Sequence, residues 1–143
     1  ASGMLDVVLE AILKKVKTSF GVIVSTIASC FTVAFVTGNS YLSILIPGEL
    51  FRKIYLERNL HPKNLSRTLE DSGTVVVPLI PWSAAGAYMA ATLGVETLSY
   101  LPWAILNYLG IVFAIILAIT GIGITKISDN EKEEFLLAEG ENL

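Results

Sequence analysis

The chain of 143 residues contains one cysteine, Cys30, and one histidine, His61. A single thiol excludes an internal disulfide framework and a Cys-rich metal centre, and a single imidazole excludes a His-paired metal motif. Charge is scarce too, with 10 Lys plus Arg against 13 Asp plus Glu, a net charge of -3 and no long basic block. Nothing here offers a footprint for nucleic acid. Gly-rich phosphate loops, HExxH and GxSxG are absent, so no enzymatic activity and no cofactor are expected.

What charge there is leaves three uncharged runs, residues 18–48, 72–95 and 97–125, of 31, 24 and 29 residues. A soluble domain of this size scatters charge over its whole surface, whereas about 20 consecutive apolar residues cross a bilayer core. The composition therefore predicts an all-α, polytopic integral membrane protein with the lipid bilayer as its first partner. The first run is too long for the apolar core of a signal peptide and is expected to stay in the mature chain. Met4 follows Ala-Ser-Gly within a helical pattern, which predicts a chain that begins partway through a larger protein.

Six segments follow from the hydropathy pattern. Residues 1–17 repeat apolar side chains on one helical face (Met4, Val8, Ile12 and Val16 among them) and read as an amphipathic interfacial helix. Residues 18–48 are too long for one straight crossing: at 1.5 Å per residue they reach about 46 Å against a core of about 30 Å. Gly38 and Asn39 are adjacent poor helix formers, which places the break there and makes the run a broken membrane segment or a helical hairpin. Lysines precede this run and Arg52, Lys53, Arg58, Lys63 and Arg67 follow it. Positive charge on the same side at both ends favours the hairpin over a single tilted crossing.

Residues 49–71 read as a polar amphipathic connector, with Leu50, Phe51, Ile54 and Tyr55 opposite Arg52, Lys53, Glu57 and Arg58, then a turn at His61 and a short helix capped by Ser66. Residues 72–95 hold Pro78 and Pro81, which predict a second break and free the carbonyls of Thr74 and Val77. Small residues from Ser83 to Ala91 favour close helix packing. Residues 97–125 read as a membrane helix after the edge motif Ser99 to Trp103, and residues 126–143 as an acidic solvated tail.

Unwound backbone survives in hydrocarbon only where protein, water or an ion satisfies it. Two breaks, at Thr37, Gly38, Asn39 and Ser40 and at Pro78, Pro81 and Trp82, therefore form a candidate site, since paired discontinuous helices offer hydroxyl, amide and carbonyl oxygens to ions. Simple kinks relieved by neighbouring helices are the competing explanation. Glu70 and Asp71 stand where charge gives way to the second run, about 100° apart on a helix, so at most one faces inward. An acid in apolar surroundings holds a proton more readily and a bound cation displaces it, which is the physical basis of antiport. Asp71 as an ordinary helix cap is the plainer alternative.

Four strings sharpen this. Residues 37–48 read TGNSYLSILIPG, 65–74 LSRTLEDSGT, 78–95 PLIPWSAAGAYMAATLGV and 98–108 LSYLPWAILNY. Together, from about residue 3 to 125, they resemble the C-terminal part of NhaC-type sodium/proton antiporters, a family that includes malate-proton/sodium-lactate exchangers. The resemblance implies the second half of an inverted-repeat secondary transporter of the bacterial inner membrane, exchanging Na+ for H+, with a small organic anion as further cargo. It implies Asp71 as the cation and proton carboxylate, beside Glu70, with Thr37, Gly38, Asn39, Ser40, Thr74 and Val77 at the ion site. Pro78, Pro81, Trp82 and Ser83 then line a substrate pocket. The chain departs from the family pattern at Ser40, where relatives often carry Gln, and at Ser83-Ala84-Ala85, where they often carry Asn-Thr-Cys. The expected partner is the N-terminal half of the same transporter or a separate chain, and a homo-oligomer is compatible with this. A non-transporting membrane subunit or scaffold is the alternative function.

Overall fold

A computed structural model describes residues 18–121, 123–128, 131, 132 and 135. The expected amphipathic helix at 1–17 and most of the acidic tail lie outside the described residues. Those that are described form helices and turns, with no strand beyond an isolated bridge between Leu60 and Lys126.

The first run folds as α1 (Ser19–Thr37) and α2 (Ser40–Glu57), separated by Gly38 and Asn39. Thr18 caps α1 by accepting the Gly21 N–H, and Asn39 caps α2 by accepting those of Tyr41 and Leu42. Gly38 ends α1 at φ +60°, a left-handed conformation that costs other L-residues energy. The two helices pack side by side as an antiparallel hairpin, with the Thr26 hydroxyl on the Tyr55 hydroxyl at 3.4 Å.

Sequence and structure part company at position 48. Instead of a separate interfacial helix beginning at Glu49, α2 runs unbroken through Pro47. Pro47 is buried, and Gly48 brings α2 close to Leu69, so tertiary packing overrides the local breaker. The amphipathic split of 49–58 is real, but its apolar side faces protein rather than headgroups: Phe51, Ile54 and Tyr55 are buried with Val22, Ile23, Ile27 and Cys30.

Next comes α3 (Pro62–Leu69), capped not by Ser66 but by His61, whose Nδ1 accepts the Lys63 N–H at 3.1 Å. Pro62 at the first helical position fits this start. Asn64, buried, ties α3 to the segment after the last helix: its amide donates to the carbonyls of His61 (3.0 Å) and Thr125 (2.6 Å) and its Oδ1 accepts the Thr125 N–H (3.1 Å). Asn64→Leu keeps the volume and loses all three bonds, each contributing about 1 kcal/mol. Amide exchange at Thr125 should rise on the order of 10- to 100-fold; unchanged protection would show that the strap is held elsewhere. Beyond it, the backbone and hydroxyl of Ser128 both donate to Glu131, holding that carboxyl below the usual carboxylate range.

The second run contains a π-helical turn (Glu70–Thr74), a 3-10 turn (Val77–Leu79) and α4 (Ala84–Leu93). The third differs from the single helix expected: α5 (Thr97–Tyr100) and a 3-10 turn (Leu101–Trp103) precede α6 (Ile105–Thr120). Pro102 supplies the break, and α6 ends at Gly121 rather than near Thr125. By length and composition α1 is long and apolar enough to cross a membrane, and two bent pairs qualify as single broken spans: Pro62–Leu79 with Ala84–Leu93, bent by 55°, and Thr97–Trp103 with Ile105–Thr120, bent by 54°.

A small-residue seam not singled out in the sequence lies on α6. In α4 Gly86 is buried, while Ala84, Ala87 and Ala91 are exposed. On α6 the four-residue repeat Gly110, Ala114, Ala118 is the inward stripe: the two alanines are buried in the core, and Gly110 faces Val75.

Candidate functional site

Each break leaves backbone groups that no helix partner satisfies, and the structure shows where their hydrogen bonds go. In α1 the Phe35 carbonyl would ordinarily accept the N–H of Asn39, which instead donates to the Thr37 hydroxyl. The Trp82 indole fills the place, donating from Nε1 to the Phe35 carbonyl at 2.9 Å, with its ring edge-on to Phe35 at 4.7 Å. A methyl group on Gly38 would stand 3.2 Å from Ser83 Cα and 3.3 Å from the Trp82 carbonyl, so the absence of a side chain lets the two breaks touch.

The second break is closed by three side chains. Pro81 has no N–H to give the Val77 carbonyl, which accepts from the Ile80 N–H (3.0 Å) and the Ser83 hydroxyl (2.7 Å). Ser83 in turn accepts the Gly86 N–H at 2.8 Å and so caps α4. Asn107 Nδ2 donates to the Val75 carbonyl at 2.6 Å, and the Tyr100 hydroxyl donates to the Pro78 carbonyl. The expectation that Pro81 frees the Val77 carbonyl for an ion is thus corrected: the oxygen is freed from the helix and taken by Ser83.

Three broken segments therefore cap one another, the first and second through Trp82, the second and third through Asn107 and Tyr100. Of the residues expected at the site, Gly38, Trp82 and Ser83 meet directly. Thr37 donates to the Val33 carbonyl, and Asn39 and Ser40 begin α2 beside that junction. Pro78 and Pro81 frame the second break; Trp82 is 57 % exposed and Ser83 only 1 %. Glu70 and Asp71 lie in the π-helical turn, Glu70 exposed and Asp71 half-buried, with Arg67 and Glu70 as the charges acting on Asp71. Asp71 is not a helix cap, and no described hydrogen bond joins it to Thr37, Asn39, Ser40 or Ser83. The same turn packs Gly73 against Ser43, whose hydroxyl donates to the Gly73 carbonyl at 3.2 Å. The Thr74 hydroxyl is buried without a hydrogen-bond partner among the described residues. No group of three or more His, Cys, Asp or Glu able to hold a metal occurs among them either.

Asn107 and Tyr100 were missed. Their signal was present, since Pro102 just ahead of an apolar run marks a third break, and polar side chains flanking a break are its natural caps.

The bond from Trp82 to Phe35 can be isolated. Trp82→Phe keeps an aromatic ring and removes the donor, leaving a carbonyl unpartnered, which costs about 1–2 kcal/mol. A lower thermal midpoint in detergent is expected; an unchanged one would mean that the indole N–H holds nothing together.

Known proteins complete the picture. The family model described as the Na+/H+ antiporter family matches residues 1–122. An uncharacterised Na+/H+ antiporter of Haemophilus influenzae is 56 % identical over 126 residues, covering 88 % of this chain and 27 % of the relative. The Na+/H+ antiporter NhaC of Alkalihalophilus pseudofirmus is 44 % identical over 87 % of the chain and 27 % of its own length. A malate-2H+/Na+-lactate antiporter of Bacillus subtilis is 34 % identical over 83 % of the chain and 25 % of its own length. No solved structure matches. The chain thus spans about a quarter of the curated relatives it matches. Its apolar helices and bent pairs are those of a multi-pass membrane protein, and the chain belongs to the NhaC-type Na+/H+ antiporter family.

Proposed function

We propose that this chain lies within the C-terminal half of a secondary transporter that exchanges Na+ for H+ across the bacterial cell membrane. The observation that carries the proposal is the contact between two broken segments, sealed by the Trp82 indole on the Phe35 carbonyl, with a half-buried acid about two turns ahead of the second break. Crossed discontinuous helices are where transporters place ions. Asp71 is the group that alternates between proton and cation, and Thr37, Asn39 and Ser40 supply neutral oxygens at the first break. Glu70 points outward. The other half of the ion pathway belongs to an N-terminal half or a partner chain that packs against this one.

The malate-2H+/Na+-lactate antiporter among the relatives supports a small organic anion as further cargo. Pro78, Pro81, Trp82 and Ser83 are its proposed wall. Because Ser83 already serves Val77 and Gly86, that wall offers little polarity of its own.

Inverted membrane vesicles holding the protein, energised to an acidic interior and loaded with a pH-sensitive dye, test the exchange. Added Na+ is expected to release protons in proportion to its concentration. Correct assembly with no proton release at any Na+ concentration would favour a non-transporting scaffold.

A further inference from the structure

His61 stands where three parts of the chain meet. Its backbone N–H donates to the Thr125 carbonyl at 3.0 Å, tying the turn between α2 and α3 to the segment after α6, and its ring lies edge-on to Phe135 with centroids 5.9 Å apart. Beside it, Lys132 Nζ donates to Asn59 Oδ1 at 2.8 Å and the Ile127 N–H to the Asn59 carbonyl at 3.1 Å.

The bond made by the ring differs from these in depending on a proton. Nδ1 accepts the Lys63 N–H at 3.1 Å and caps α3, so the neutral ring carries its hydrogen on Nε2. A second proton can go only to Nδ1. It would set a donor against a donor, and a positive charge at the N-terminus of a helix, where the macrodipole opposes it. The residue is half-buried, so solvent protons reach it. Charged groups surround it from each neighbouring element: Lys63 from α3, Lys126 from the segment after α6, where it bridges to Leu60, and Glu131 and Lys132 from beyond that. Glu131 is the acid among them. Its carboxylate lies near enough to feel the charge of the imidazole and is already oriented by Ser128. The neutral ring thus has one partner, the Lys63 N–H, and the charged ring another, the Glu131 carboxylate.

We propose that His61 is a proton-operated latch: neutral, it caps α3, and charged, it turns from Lys63 to Glu131 and lets the first turn of the helix loosen. Imidazole is the side chain whose charge ordinarily changes between pH 5 and 8, so acidification within that range is the signal. What the latch acts on is the helix that runs directly into the π-helical turn carrying Asp71. Acid then weakens, from its N-terminal end, the anchorage of the carboxylate assigned to exchange. That consequence rests on the antiport reading, whereas the latch itself does not.

Amide hydrogen exchange of the whole protein in detergent, followed from pH 5 to 8 with intrinsic rates divided out, tests the latch. Protection of the Lys63 amide should fall about 5-fold on the acid side, the effect of one lost cap. His61→Asn supplies a cap that cannot titrate and should hold protection level across the range, and His61→Ala should be low throughout. Glu131→Gln removes the partner of the charged ring and should move the fall to lower pH. A level profile with His61 in place, or the same fall in His61→Asn, would overturn the latch. A fall at the unshifted pH in Glu131→Gln would overturn Glu131 as the second partner. Asp71→Asn should leave the profile unchanged, and no readout involves transport, so failure here and failure of the antiport reading are separable.

Discussion

Asp71→Asn is expected to abolish Na+-driven proton release while the protein remains folded in the membrane. The amide preserves shape and most packing around the π-helical turn, where Asp71 is half-buried beside Ser72 and Gly73, both buried. What disappears is the carboxylate proposed to hold a proton in one state and a cation in the other. A charge-assisted contact contributes about 1.5–3 kcal/mol, so Na+ affinity should fall about 10- to 100-fold. Coupling should fall further, to the level of vesicles without the protein, because an amide has no proton to trade at working pH.

Two companions make the result specific. Glu70→Gln alters the neighbouring residue of the same turn, exposed and turned away, and should retain exchange. Asp71→Glu keeps the titratable group on a longer arm and should retain part of it, with a changed Na+ dependence. Normal exchange in Asp71→Asn would remove the carboxylate from the mechanism, and loss in Glu70→Gln with retention in Asp71→Asn would move the role by one residue.

Much of this architecture was legible because membranes punish unsatisfied backbone. Gly38-Asn39 and the pair Pro78 and Pro81 were readable as breaks from residue chemistry alone, and charge on both flanks of the first run pointed to the hairpin formed by α1 and α2. Local signals failed where tertiary contacts outvoted them. Pro47-Gly48 reads as a stop, yet α2 continues because Pro47 is buried and Gly48 admits Leu69. Ser66 is the better cap by residue type, yet His61 takes the role because Pro62 sets the helix start one residue after it. The partners of the freed carbonyls were beyond reach, since which of Ser83, Tyr100 and Asn107 meets Val75, Val77 or Pro78 depends on how three segments cross. The Gly110, Ala114, Ala118 stripe was readable at four-residue spacing and was eclipsed by the richer small-residue run from Ser83 to Ala91.

The most damaging small change should be Gly86→Ala. A Cβ at Gly86 would lie 2.2 Å from the Ile80 carbonyl oxygen and 3.0 Å from Ser83 Oγ, far inside contact distance to a backbone atom that cannot rotate away. Either the second break or the start of α4 must shift, and Ser83 stands at the joint. Its hydroxyl links the Val77 carbonyl to the Gly86 N–H, so moving either side loosens both bonds. Overpacking costs about 1–3 kcal/mol and each hydrogen bond about 1 kcal/mol more, for a total of about 3 kcal/mol or above. The thermal midpoint should drop by roughly 10 °C and the yield of folded protein with it. Exchange should suffer in the molecules that do fold, because Trp82, next to Ser83, is what the second break lends to the first. Gly110→Ala is the matched control: its Cβ meets only Val75 at 3.8 Å, and alanine gains about 1 kcal/mol of helix propensity over glycine. Equal stability of the two variants would mean that the Ile80 carbonyl and the start of α4 are not locked together, and that the junction of the two breaks is looser than the hydrogen bonds around Ser83 describe.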